Sequence, residues 1–277
     1  MNNQVIKRSE KDGLITPHGG ELKQLIIEDE IKKQKLISET NFEIECTERN
    51  ACDVELLMIG AFSPLEGFMD ESDYISVIHH NRIEKGFLFG LPIVFDTDNK
   101  DIVVGEKILL TYKEQNLAVL EVSTIWEPNK SIEAEKCYGT NSLDHPAVKM
   151  IFHERGNFYI GGKIFGFELP KRDFPCKTPQ EVRKLLPSNV DVVAFQCRNP
   201  IHRAHYELFT NALTSENVSK NAVVLVHPTC GPTQQDDIPG KIRYLTYQKL
   251  SEEITNKNIK WAFLPYSMHM AGPREAL

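Results

Sequence analysis

Val190-Asp191-Val192-Val193-Ala194-Phe195-Gln196-Cys197-Arg198-Asn199-Pro200-Ile201-His202-Arg203-Ala204-His205 is an apolar run, broken only by Asp191, that gives way to a polar and cationic turn. Such a run reads as a buried parallel strand over 190–196. After it the period changes. Tyr206, Leu208, Phe209, Ala212 and Leu213 recur at helical spacing and predict a helix over 200–213. Asn199 and Pro200 supply its N-cap and first position, because Asn accepts a helix N–H and Pro has none to leave unpaired. A strand that feeds a helix through this turn opens a doubly wound α/β sheet, and the free N–H groups of the helix face whatever lies beyond the strand.

Working outward, a strand over 222–227, a helix over 241–255 and a strand over 261–264 continue the series as βαβαβ. Upstream, Thr178-Pro179-Gln180-Glu181 is a capping box that opens a short helix through Leu186. The earlier part is strand-rich, with apolar or β-branched runs over 88–95, 107–112 and 117–125 bounded by Gly, Asn or Asp. Val54 to Gly60 supplies one helical patch, and a second short helix follows Ser72, whose hydroxyl is the expected cap. The polar stretch 127–145 reads as a surface connection. Three prolines in 166–179 mark the better boundary, so the expected domains are 1–170 and 171–277.

The turn carries the chemistry. Arg198 offers a planar donor fork suited to an oxyanion, and His202 and His205, three apart, share a helical face. Metal binding is the rival for that pair, but no third Cys, His, Asp or Glu ligand lies nearby, so no protein-bound zinc is expected. Histidines that merely cap or pack at a helix start would not require Gln196, Arg198 and Asn199 in the same turn. Arg203 falls on another helical face and reads as solvated. His227, before Pro228, has two readings, a cleft residue or a turn device, and Pro232 to Asp237 has two, a lid or a plain connection.

The run Q-C-R-N-P-I-H-R-A-H at 196–205 resembles the signature of the ATP sulfurylase (sulfate adenylyltransferase) family of H-x-x-H nucleotidyltransferases. Ala61-Phe62-Ser63-Pro64-Leu65-Glu66-Gly67-Phe68-Met69, Leu91 to Asp96, His145-Pro146-Ala147-Val148, Gly161-Gly162, His227-Pro228 and Met270 to Ala276 resemble further family motifs in family order. The resemblance implies a strand-rich PUA-like first domain followed by a Rossmann-like doubly wound α/β nucleotidyltransferase domain. It implies transfer of AMP from MgATP to sulfate, giving adenosine 5'-phosphosulfate and pyrophosphate. Gln196 and Arg198 would then hold sulfate. Arg198, Asn199, Pro200, Ile201, His202 and His205 would line the ATP site, and Cys197, Arg198, Asn199, His202 and His205 form the expected catalytic set.

Two departures accompany it. Cys197 stands where the family more often has threonine, which leaves two readings: a backbone N–H donor, or a small packing residue. The chain also stops at Leu277 with no match to the family's G-R-D-H-A-G-P-like nucleotide loop, so the second domain is expected to be incomplete at its C-terminus, and activity of these residues alone is left open.

Composition sets limits. With 277 residues, 41% hydrophobic, the chain can bury two cores. A net charge of −7 argues against general nucleic-acid or membrane-surface binding and leaves anion capture to local groups. Met1 to Lys11 is polar with no apolar centre, and no stretch is long enough to span a bilayer, so the expected location is the cytoplasm. Six cysteines without C-x-x-C pairs fit reduced thiols. The family further implies a homo-oligomer and a downstream adenosine phosphosulfate kinase or reductase. Rival functions are an H-x-x-H nucleotidyltransferase with another acceptor and a noncatalytic truncated homologue whose PUA-like domain binds something else, such as RNA.

Overall fold

The computed structural model describes Arg8, residues 12–233, residues 237–267 and Arg274. These divide into two compact units, one formed by residues 23–170 with Arg274, the other by Arg8 and residues 12–22 with residues 171–267. The sequence division places 12–22 with the first domain. In the structure this segment packs with the second unit, where Arg183 Nη2 meets Asp12 Oδ2 at 2.8 Å and Arg8 Nη2 meets Asp191 Oδ1 at 3.1 Å.

In the first unit the elements run α1 (Glu30–Ser38), β1 (Phe42–Glu45), α2 (Glu48–Met58), β2 (Gly67–Phe68), α3 (Glu71–His80), β3 (Phe95–Thr97), β4 (Lys107–Tyr112), β5 (Gln115–Trp126), α4 (Lys130–Tyr138), α5 (Pro146–His153) and β6 (Phe158–Gly166). The sheet order is β1-β4-β5-β6-β2, with β3 pairing the other end of β6 and β1 parallel to β4. Val54, Leu57 and Met58 of α2 and Tyr74, Val77 and Ile78 of α3 bury their apolar faces with Leu110, Leu120, Tyr159 and Ile160 of the sheet. Burial of this kind stabilises by about 25 cal/mol per Å² of apolar surface.

Three local expectations change here. The run 88–95 is a strand only at Phe95. Pro92 has no N–H to offer a ladder, and the nearby backbone groups bond singly instead, Phe89 N to Asn81 O and Met69 N to Ile93 O. Asp70, not Ser72, caps α3 by accepting from Asp73 N at 2.8 Å. The polar stretch 127–145 holds α4, whose buried face carries a carboxylate. Glu133 accepts from Arg155 Nη1, Tyr74 Oη and Tyr159 Oη, each at 3.0 Å. A buried charge satisfied by three donors looks like surface composition in sequence.

In the second unit, α6 (Pro179–Leu185) precedes β7 (Val192–Phe195), α7 (Arg203–Ala212), β8 (Val223–Val226), α8 (Gly240–Glu253) and β9 (Ile259–Trp261). The expected capping box is present at α6, with Thr178 Oγ1 accepting from Glu181 N and Glu181 Oε2 accepting from Thr178 N. The three strands are parallel in the order β7-β8-β9. Phe209 of α7 packs with Val224, Val226 and Ile259, while Val182 of α6 packs with Leu225 and Ala262. Val224 and Val226 point to one face of β8 and Leu225 to the other, so helices cover both faces of the sheet. The strand-rich first unit and this α/β second unit match the expected fold class. Among the described residues no helix is long and apolar enough to cross a membrane.

Candidate active site

The predicted turn follows β7, where the parallel strands present their carboxyl ends. His227 N donates to Phe195 O at 2.8 Å and Thr229 N to Cys197 O at 2.9 Å, so β7 and β8 stay paired past their last ladder residues. This carries 196–199 and 227–230 side by side into the region where open α/β sheets bind ligands.

Helix α7 starts later than the sequence pattern predicts. Its N-cap is His202, with φ −104° and ψ 174°, and Asn199 and Pro200 lie in the turn ahead of it. The reason lies on α8. Arg243 Nη1 donates to Arg198 O at 3.1 Å and Tyr247 Oη to Asn199 O at 2.9 Å, so Asn199 O, which would accept the first bond of a helix begun at 200, points to α8 instead. The His202 side chain makes no capping hydrogen bond, so among the described residues the first N–H groups of α7 are open to a ligand or to solvent.

The side chains of the turn fall as follows. Gln196 is exposed, and among the described residues its amide reaches Cys197 O, at 3.3 Å. Arg198 Nη1 lies 3.7 Å from Asp237 Oδ2. Ile201 packs beside Phe209 and Val226, and Pro200 is half-buried. The rings of His202 and His205 stack with centroids 3.8 Å apart, and His205 also packs on Phe195 at 5.7 Å. Its Nδ1 is buried without a partner. The expected shared face is therefore present although only His205 lies within the helix. Arg203 is 92% exposed in its side chain and pairs loosely with Glu207 at 3.8 Å, a solvated role.

Cys197 is half-buried with Sγ 4.0 Å from Tyr247 Oη. Burial pushes its thiol up to about 11, against weaker opposing effects of the Tyr247 hydroxyl and the Arg243 charge. It is therefore a neutral thiol near pH 7 and not a nucleophile. His227 Nε2 is buried without a partner, and burial holds its pKa below the ordinary histidine range.

Among the described residues no group of three or more His, Cys, Asp or Glu side chains is gathered as a metal site requires. Gln234 to Asp236, within the segment read as a lid or connection, lie outside the described residues, as does the motif 270–276 except Arg274. Arg274 donates to Val77 O, Gly90 O and Ile78 O within the first unit. Two buried residues, Arg243 and Tyr247, had no place in the sequence reading. Their signal is the i, i+4 spacing on α8, which puts both on one helical face.

A family model described as a PUA-like domain matches residues 15–169, and one described as ATP-sulfurylase matches residues 175–277. Sulfate adenylyltransferases of Candida albicans and Saccharomyces cerevisiae are 37% and 39% identical over 95% and 94% of this chain, which covers 53% of each. That of Phaeosphaeria nodorum is 40% identical over 94% of this chain and is covered over 47% of its own length. The chain thus spans about half the length of the curated relatives it matches. A solved structure titled hexameric APS kinase from Thiobacillus denitrificans superimposes over 94% of this chain and 49% of its own, with TM-score 0.73 at 24% identity, a likeness of fold. Over more than half its length the chain belongs to the PUA-like domain family, and a segment that matches the ATP-sulfurylase model follows it.

Proposed function

We propose that the protein carrying this sequence is a sulfate adenylyltransferase, with the turn 196–205 as the anion-handling side of its site. One observation carries this reading: a helix start without an N-cap side-chain bond, the Arg198 guanidinium and two stacked imidazoles all belong to the one turn that leaves the carboxyl end of β7. A sulfate oxygen attacks the α-phosphorus of MgATP, the bond to the bridging oxygen breaks, and pyrophosphate leaves with that electron pair. Sulfate is already an anion at neutral pH, so no base is needed. The work is to hold two repelling anions in line and to stabilise charge on the transferring phosphoryl group, which positioned donors do.

In this reading Gln196 and Arg198 hold sulfate, Asn199 and His202 contact the ATP phosphates, and His205 stabilises the transition state. Pro200 and Ile201 shape the ATP side, and Cys197 contributes its backbone N–H. Mg²⁺ arrives as part of MgATP. We further place the protein in the cytoplasm, as a homo-oligomer that supplies an adenosine phosphosulfate kinase or reductase. The test is pyrophosphate–ATP exchange, expected only when adenosine 5'-phosphosulfate is supplied. Molybdate in place of sulfate is expected to give continuous AMP and pyrophosphate, because its mixed anhydride hydrolyses. Absence of both activities in a folded, full-length preparation overturns the reading.

A further inference from the structure

Arg243 is 1% exposed, on the same helix as Tyr247. Its two terminal guanidinium nitrogens bond the two loops that leave the sheet. Nη1 donates to Arg198 O at 3.1 Å and to Thr233 Oγ1 at 2.9 Å, and Nη2 donates to Gly231 O at 2.7 Å. Tyr247, fully buried one turn further along α8, donates to Asn199 O at 2.9 Å and touches Cys197 Sγ. One helix face therefore grips the main chain of 198–199 after β7 and of 231 after β8.

The cost of this arrangement is informative. A buried guanidinium that meets only neutral acceptors loses hydration without the return of an ion pair, and its Nε is buried with no partner. A packed apolar residue would stabilise the unit better. What the arginine supplies is direction. Two fixed donors hold the carbonyls of Arg198 and Gly231, a third holds the Thr233 hydroxyl, and the orientation of a peptide plane constrains where the adjoining side chains leave. Because Arg198 O and Asn199 O are both held from behind, the Arg198 and Asn199 side chains leave from a constrained main chain.

We propose that Arg243 and Tyr247 are positioning residues that clasp the anion turn from behind, so that Gln196 and Arg198 meet sulfate already ordered. This rests on the function proposed above. The charge and the clasp are separable, because lysine keeps the positive charge but cannot span three acceptors in a plane.

The experiment compares Arg243→Lys and Tyr247→Phe with the parent protein by hydrogen exchange and by steady-state kinetics with sulfate. Peptides covering 196–202 and 229–233 are expected to exchange about tenfold faster in both variants, while those covering 158–166 stay unchanged. The KM for sulfate is expected to rise about tenfold with a smaller change for MgATP, since misaligned ground-state contacts weaken binding of the anion they serve. Unchanged exchange in the 196–202 peptides overturns the clasp. Faster exchange with an unaltered sulfate KM, in variants that still turn over, reduces both residues to packing and overturns their positioning role. If the parent shows no sulfate-dependent turnover, the proposed function fails by itself and the exchange result still decides whether the clasp exists.

Discussion

The rings of His202 and His205 lie with centroids 3.8 Å apart and planes 29° from parallel, although His202 belongs to the extended turn and His205 to the helix. Stacked rings orient each other, so the two imidazoles present their nitrogens as a unit. His205→Ala is expected to lower turnover by about 10²–10³-fold, as removal of an oxyanion donor does. His202→Ala should also lower it, and the double variant should lose less than the product of the two, with a coupling of about 0.5–3 kcal/mol. Strict additivity in pyrophosphate–ATP exchange would show that the stack has no functional consequence.

Cys197→Thr is expected to keep activity within about twofold, because the contact it must satisfy is the Tyr247 hydroxyl and threonine is a better partner for it than a thiol. The neutral thiol also predicts slow alkylation. At pH 7.5 iodoacetamide should label Cys197 at least about tenfold more slowly than an unhindered thiol, since the thiolate is the reactive form. Rapid labelling of Cys197, read by peptide mass, would contradict its placement.

What could be read from the sequence followed local rules, and what could not followed tertiary ones. The capping box at Thr178, β4 at its full length and the strand–turn–helix at 190–213 come from spacing and composition within a few residues. The late start of α7 was illegible because Arg243 and Tyr247, more than forty residues downstream, redirect two carbonyls. Residues 127–145 misled for the opposite reason. Glu133 looks solvated in sequence, and only Arg155, Tyr74 and Tyr159 make it a core residue. The residue types of the site and α8 itself were visible, but the grip of α8 on the turn was not.

Gly67 and Gly162, from two of the family-like motifs, are required by one steric contact. A Cβ on Gly67 would lie 1.9 Å from Gly162 O, backbone against backbone, where β2 pairs β6. Gly67→Ala must open that pairing and is expected to destabilise the first unit by about 1–3 kcal/mol, as overpacking does. A denaturant midpoint equal to that of the parent would show that the strands part more easily than the geometry allows.

The buried ion pair offers a cleaner test of the first unit than its apolar core does. Arg155 Nη1 sits 3.0 Å from Glu133 Oε1, with both side chains nearly shielded from solvent. Glu133→Gln keeps the shape and leaves the guanidinium with an uncharged partner, which should cost about 3–5 kcal/mol if the charge is as isolated as its burial implies. A loss below about 1 kcal/mol would mean that water reaches the pair.

Asp53 makes the stability of the same unit depend on pH. Burial lifts its carboxyl from an ordinary 3.8 to about 7; Arg155 and Arg49 pull it back in part, and Asp96 adds to the rise. In the unfolded chain Asp53 loses its proton above about pH 4, whereas in the folded unit it keeps the proton up to about pH 7. Between those values the folded state binds more protons, so stability falls as pH rises. Asp53 contributes its full share below pH 4, sheds about 1.4 kcal/mol per pH unit across the window, and changes nothing further above pH 7. Asp53→Asn mimics the protonated acid at every pH. It should match the parent at pH 4 and exceed it by a few kcal/mol at pH 8. Urea unfolding followed by Trp126 fluorescence, in a Trp261→Phe background so that only the first unit reports, reads this difference directly. If the variant and the parent keep a constant gap from pH 4 to pH 8, Asp53 does not titrate in that window, and the unit's pH response must come from other groups.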